Sequence, residues 1–521
     1  MQRGLVRCLL AVFVALGVFA APAAADHDGD PDVAGITKLF NQANGSGAIN
    51  SDIAFWGDRA YQGHYDGVQI FDVSDPAAPA LLNNFQCHGP QNDPVVWGNL
   101  LFLAVDRTQT GPECGSTNTV AHDDPNGWEG VRILDVSDPA NPEFIKGVYT
   151  DCGAHTVTLY PKSRGQVLLY VSSYPLRPGP TCGPVTGPPA GNSPLHEKIS
   201  VIKVPVLNPG AAKVIAQPKI SYPGDPDNKF LPVTDHGLAG EGLVDGLTAC
   251  HDIGVFVELR LAAAACAEQA QLWRIKRNGL PDTEHPLWVY DDNVDTDGAG
   301  GGDVVVDFWH SATFSWDGKV VNFIDESFGT GCPTVTPNVY GRGPGDTGAM
   351  FFLSTKSGKK LSHFTYPRAG ETGYCSAHLG NVVRTKDRDL LVNAWYNGGV
   401  DVIDFTDPFH PAETAYWDET SDNWSAYWYE GAGLGEGQFP VYATDGVEDP
   451  PTGEGFQVFS VLSDVTTTAL PYLNPQTQEQ ALGHGFKVKA AKAARYRSAS
   501  ATGTTARRSA ASRAAARHLA P

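Results

Sequence analysis

GVQIFDVSDPAAP at 67–79, GVRILDVSDPANP at 130–142 and GVDVIDFTDPFHP at 399–411 are nearly the same phrase written three times. In the first copy Val68, Ile70 and Asp72 fall on one side of an extended chain, and Gln69, Phe71 and Val73 on the other. Alternation rich in β-branched residues predicts a half-buried strand, because successive side chains point to opposite faces. The Ser/Thr-Asp-Pro that follows predicts a turn: hydroxyl and carboxylate bond nearby backbone N–H groups, and proline has no N–H to continue a ladder. A strand and turn repeated at intervals signal stacked β units.

Used as a ruler, this strand exposes weaker copies: ISVIKVPVLNPG from Ile199, AQLWRIKRNGLP from Ala270, GAMFFLSTKSGK from Gly348 and GFQVFSVLSDV from Gly455. An apolar hairpin precedes each copy, such as DIAFWGDRAYQG from Asp52 or PVVWGNLLFLAV from Pro94, with a less regular one near Ala426 to Thr444. A short strand follows, such as ALLNNF, EFIKGVY or AETAYW. Four strands per unit in seven units predict an all-β, seven-bladed β-propeller of four antiparallel strands per blade. The segment Ile36 to Phe40 reads as the outermost strand of the last blade, closing the ring from the N-terminus. The GVxIxDVSDPxxP units resemble the LVIVD-repeat family of exported bacterial β-propellers over roughly residues 35 to 465. That resemblance implies the fold and little about activity, since propellers host many chemistries.

Residues 1–25 read as a signal peptide: Arg3 and Arg7, an apolar run from Leu9 to Ala20, then Ala23-Ala24-Ala25 before Asp26. The apolar run is short for a permanent anchor, and no other stretch is long enough to span a bilayer. The expected product is secreted, extracellular or cell-wall associated. From Asp26 to Leu482, the propeller region 26–482, the net charge is −32; residues 483–521 carry nine Lys/Arg among Ala, Ser and Thr, and no acid. Such a tail cannot bury a core and reads as disordered. It is a tether to anionic cell-wall polymers, lipid headgroups or the acidic body, or a solvated tail with no partner. The acidic body argues against nucleic acid.

Aligned on the repeat, four histidines take one position: His155 before TVTLY, His251 before DIGVF, His310 before SATFS and His378 before LGNVV. Asn50 and Gln91 occupy it in the first two units. The innermost strand of a blade lines the central channel, so four imidazoles and two amides would ring one opening. One reading is a metal site, iron or copper, because imidazole is the usual ligand for such ions. Carotenoid oxygenases and selenium-binding-type propellers show a similar arrangement, and this chain shares only that pattern with them. Asp252, Glu326 and Glu371 are candidates to orient an imidazole through its other nitrogen; His88, His236 and Glu241 lie in adjoining loops. The other reading is that each histidine braces its own blade, as in WD40-type propellers.

The chain without residues 1–25 has eight cysteines, an even number suited to disulfides in an oxidising compartment. Loops entering inner strands and loops between second and third strands share a face, which predicts Cys87–Cys114, Cys152 with Cys182, Cys250–Cys266, and Cys332 with Cys375. Each would staple a long loop over the histidine face, where ordered loops serve binding. From Asp291 to Asp303 the chain partly matches a calcium loop through Asn293, Asp295, Asp297 and Gly298, but Val304 stands where an EF-hand needs glutamate. A calcium loop of another kind and a solvated acidic turn remain the alternatives there. No Gly-x-Ser-x-Gly, P-loop or His-Glu-x-x-His sequence occurs. Two functions follow: a surface or extracellular binding scaffold for a protein, glycan or small molecule, or a metal-dependent oxidoreductase built on the four histidines.

Overall fold

The computed structural model describes residues 33–121, 124–150, 153–173, 198–221, 250–266, 269–290, 306, 308–326, 348–368, 375–418, 422–429, 434, 437–445 and 455–479. The expected signal peptide, the basic tail and the calcium-like loop lie outside these residues. Within them the fold is all-β, with one short 3-10 turn at Pro209–Ala211. No helix of the described residues is long and apolar enough to cross a membrane.

The repeat strand Gly67–Asp72 pairs antiparallel with Arg59–His64 on one side and Ala80–Gln86 on the other, and Asn50–Trp56 completes the sheet's inner part. The same four-stranded antiparallel order recurs along the chain, in sheets beginning at Gln91–Trp97, Thr156–Ser163, Ile253–Phe256 and Trp309–Phe314. A larger sheet contains two such runs, beginning at Ser376–Val383 and Asn423–Trp428, whose first strands meet in a short parallel pairing. The first strands also touch in a cycle: each packs on the next, and Asn423–Trp428 packs on Asn50–Trp56.

Both faces of the repeat strand are buried, where the sequence reads as half-buried. Val68 and Ile70 pack with Val96, Leu101 and Leu103 of the next sheet, while Phe71 packs with Phe55 and Phe456 on the other side. The alternation therefore separates two neighbouring sheets rather than core from water. The repeated acids act as turn-makers. Asp72 accepts the Ser74 N–H at 2.9 Å and Asp75 the Ala77 N–H at 3.0 Å, and Asp135/Asp138 and Asp404/Asp407 repeat the pattern. The glycine opening the phrase is also explained: a Cβ on Gly67 would lie 2.0 Å from the Phe85 carbonyl oxygen, and one on Gly130 2.1 Å from that of Val148.

The N-terminal strand Ile36–Gln42 pairs antiparallel with Phe456–Leu462 as the outermost strand of the last run. Just before it, Val33–Ala34 pairs with the outer strand Ala412–Trp417 of the preceding run. Gly35, at φ +71, turns the chain from one run of the larger sheet to the other.

Residues 467–479, which follow the last repeat strand, lace the far ends of the first strands. Pro471 O accepts the Gly57 N–H at 3.0 Å, Gln476 O that of Val255 at 2.8 Å, Gln478 O that of Val257 at 2.9 Å, and Arg384 O accepts the Thr468 N–H at 2.7 Å. Tyr472–Leu473 pairs with Phe55 and Trp56, and Thr477–Gln478 with Val255 and Phe256. Side-chain amides complete the lacing, because an amide presents the same donor and acceptor as a peptide group. Asn474 bonds both the N–H (2.6 Å) and the carbonyl (2.9 Å) of Val96, and Gln478 does the same to Phe314. Asn381 makes the equivalent clamp on Trp428, at 2.8 and 2.9 Å. Inner strands have one edge facing the channel, and these groups satisfy backbone that would otherwise be unpaired.

Candidate metal centre

At the opposite end of the first strands the four histidines form one buried arc. His155 Nε2 lies 2.7 Å from His251 Nε2. The ring centroids of His251 and His310 are 3.8 Å apart, and those of His310 and His378 4.2 Å. Their exposures are 4 %, 6 %, 1 % and 1 %, so the arc is shielded from solvent.

Local backbone explains how residues so far apart in sequence meet. His310 is the extra residue of a β-bulge between Trp309 and Ser311, and His378 sits in another between Ala377 and Gly380. Similar shifts occur at Asn50/Ile53, Gln91/Asp93 and Asn423/Ser425. A bulge breaks the strict alternation and re-aims a side chain, here toward the channel. Hydroxyls next to the histidines then tie the strands together: Thr156 Oγ1 donates to His251 O at 2.7 Å, and Ser311 Oγ to His378 O at 3.1 Å.

Two of the outward nitrogens are held. His155 Nδ1 meets Asp106 Oδ2 at 2.9 Å, and His378 Nδ1 donates to the Trp424 carbonyl. Fixing Nδ1 in this way sets the tautomer and leaves the Nε2 lone pair for a ligand. At the arc's far end the Tyr396 hydroxyl lies 2.8 Å from His378 Nε2. His310 Nδ1 is buried with no hydrogen-bond partner among the described residues, an arrangement that costs about 1–3 kcal/mol unless a ligand satisfies it.

Carboxylates complete the site. His251, Asp252 and His310 offer ligand atoms within 4.8 Å of one another, as do His310, Glu326 and His378. A small cavity beside His251, Asp252, His310 and His378, with room for about one water molecule, is also lined by Asp52, Asp93 and Gln476. Among the described residues no lysine or arginine lines it. Burial, reinforced by neighbouring imidazoles, holds His251 and His310 well below the usual histidine range, and burial holds His378 at about 3. Burial likewise raises Asp52 and Asp252 to about 7 and Glu326 to about 8. Asp93 is raised well above the usual range by burial and then by Asp52 and Asp252. Neutral imidazoles are the form that binds metal, and buried carboxylates without a basic partner are what a cation would neutralise.

Of the other residues singled out in the sequence, Gln91 reaches the arc, its Nε2 3.4 Å from His155 Nε2. Asn50 instead accepts from Asn44 and Gln62 and donates to Asp445 O, tying the first unit to the last. His88 is engaged by Asp66 and Asn118. Glu371, His236 and Glu241 lie outside the described residues. Asp106, Tyr396, Trp424, Asp52, Asp93 and Gln476 carry no motif, and the sequence reading missed them. Asp52 and Asp93 follow the aligned position by two residues, which was the available signal.

Among the described residues two disulfides have both cysteines in place, Cys87–Cys114 and Cys250–Cys266, and the second includes the residue directly before His251. Cys375 is also disulfide-bonded, while Cys152, Cys182 and Cys332 lie outside the described residues.

With repeat, turn and pairing in view, comparison with known families is decisive for two segments. Residues 49–87 and 126–150 match the LVIVD repeat. The first LVIVD segment spans the strands from Asn50 to Gln86, and the second those from Trp128 to Tyr149. LVIVD repeats and four-stranded sheets together indicate a β-propeller-like scaffold. No curated protein matches the chain. Among solved structures, Sqt1 of Saccharomyces cerevisiae is similar at 8% identity and TM-score 0.47, covering 83% of this chain and 99% of that one. U3-55K is similar at 8% identity and TM-score 0.46, with 83% and 100% covered. The computationally designed Ika8 protein is similar at 9% and 0.39, with 81% and 98% covered.

Proposed function

We propose that this chain is an exported, seven-bladed β-propeller that holds an iron or copper ion at one end of its central channel and uses it for redox chemistry. The cyclic contact of the first strands supports the blade count. Disulfides, which persist in oxidising compartments, support export.

One observation carries the metal reading: His155, His251, His310 and His378 form a continuous buried arc beside Asp252 and Glu326, with no lysine or arginine among the described residues lining the cavity. Histidines that only braced their own blades would point between sheets, not at one another. Buried imidazoles flanked by carboxylates are donors that suit iron or copper.

The test is metal analysis of the purified chain after supplementation with iron or copper, beside the double variant His251→Ala/His310→Ala. Near-stoichiometric iron or copper in the wild type and loss in the variant is the expected result. Metal-free wild type would sink the reading and leave the non-catalytic one, a binding scaffold using the disulfide-stapled loops.

A further inference from the structure

The hydroxyl of Tyr396 stands where a ligand would. Tyr396 ends the strand Leu390–Tyr396 and pairs with Ser376, which opens the strand carrying His378. Its ring lies against the His378 imidazole, centroids 4.3 Å apart at 32°, and Trp424 meets both rings edge-on, at 4.9 Å from His378 and 6.1 Å from Tyr396. Its oxygen is 2.8 Å from His378 Nε2, the nitrogen left with a lone pair once Nδ1 donates to Trp424 O. Glu326 Oε1 is 4.0 Å from the same nitrogen, and the His310 ring is stacked on the other side of the arc. The phenol oxygen therefore lies beside His378 Nε2, one of the donor atoms grouped with those of His310 and Glu326.

We propose that Tyr396 is a direct ligand of the ion, bound through its phenolate oxygen; this deepens the metal reading above and rests on it. Two atoms 2.8 Å apart and each ~2.1 Å from an ion subtend about 84°, a cis-ligand angle. Without the ion the O–H caps the Nε2 lone pair. As the metal–oxygen bond forms, the phenol proton leaves to solvent and the hydrogen bond to Nε2 is replaced by a metal bond at each atom. At 8 % exposure the ring is held by its neighbours and needs little movement to make the exchange.

The experiment uses the full chain, stripped with chelator and reloaded with Fe(III) or Cu(II). The expected wild-type result is stoichiometric uptake with a phenolate-to-metal charge-transfer band in the visible. Tyr396→Phe should lose the band and bind the ion roughly tenfold or more weakly, while Tyr427→Phe keeps the band. Uptake without a band, a band that survives Tyr396→Phe, or a band lost in Tyr427→Phe overturns the assignment. Should Tyr396→Phe fail to fold, resonance Raman on wild type decides whether a tyrosine is bound. Phenolate ring modes that shift with ring-deuterated tyrosine support the assignment, and their absence refutes it. Failure of the metal reading itself looks different, because the wild type then takes up no ion at all.

Discussion

Asn474→Ala tests whether residues 467–479 hold the channel end of the ring. Asn474 is fully buried, and its amide makes a two-point bond to Val96, itself fully buried. Alanine leaves the Val96 N–H and carbonyl without partners, and each stranded group costs about 1–3 kcal/mol. Water admitted to the vacated space recovers part of that, so the expected loss is about 2–4 kcal/mol. Asn474→Asp should cost at least as much: one oxygen still accepts the N–H, but the other turns a second acceptor on the Val96 carbonyl and buries a charge. The assay is urea unfolding followed by tryptophan fluorescence with the disulfides intact, beside the exposed-site control Asn126→Ala, which should stay within about 0.5 kcal/mol of wild type. A loss below about 1 kcal/mol for Asn474→Ala would refute the view that amides substitute for missing strand partners at the channel edge.

Metal-free protein should lose stability as pH rises from 6.5 to 9. The histidines with lowered folded-state values contribute fully above their unfolded value of 6.5, so they add no slope there. Asp52, Asp252 and Glu326, raised to about 7, 7 and 8, contribute stability below their unfolded values that is lost through those folded values. Calorimetry at several pH values should show a falling Tm that a bound ion flattens; a Tm that rises across this window contradicts the assignment. Cys250→Ser/Cys266→Ser opens a loop of separation 16 and should cost ~3 kcal/mol by chemical denaturation, with weaker ion uptake because Cys250 precedes His251. Unchanged ion affinity would show that the staple does not position the histidine. Gly254→Ala would place a Cβ 2.2 Å from the Ala312 carbonyl oxygen, between the strands below His251 and His310. It should destabilise by about 1–3 kcal/mol, and a neutral result in thermal melts would mean these strands are less closely packed than described.

Much of the fold was legible because its signals are local. The phrase from Gly67 to Pro79 contains its own strand alternation, its own turn acids and a glycine required by the neighbouring carbonyl. Counting along that phrase also aligned His155, His251, His310 and His378, since a repeated backbone path carries equal sequence positions to equal places. The lacing by residues 467–479 was not legible: it pairs two residues at a time, and its anchors are single amides with no pattern to recognise. Nor were Asp106 and Tyr396, which come from second strands, where no repeat position marks them.

The sequence by itself determined the strand-and-turn unit, its recurrence and the column of four histidines, all of which depend on the chain's local periodicity. Only the tertiary structure decided that the four imidazoles meet in one buried arc, edge to face between His155 and His251 and tilted between the others. That outcome depends on bulges at His310 and His378, on hydroxyls tying adjacent strands and on the packing of each sheet against the next. The physical reason is that an alignment specifies which residues share a position around an axis. The direction each side chain points, and what then lies within bonding distance of it, is set by backbone irregularities and contacts between units far apart in the chain.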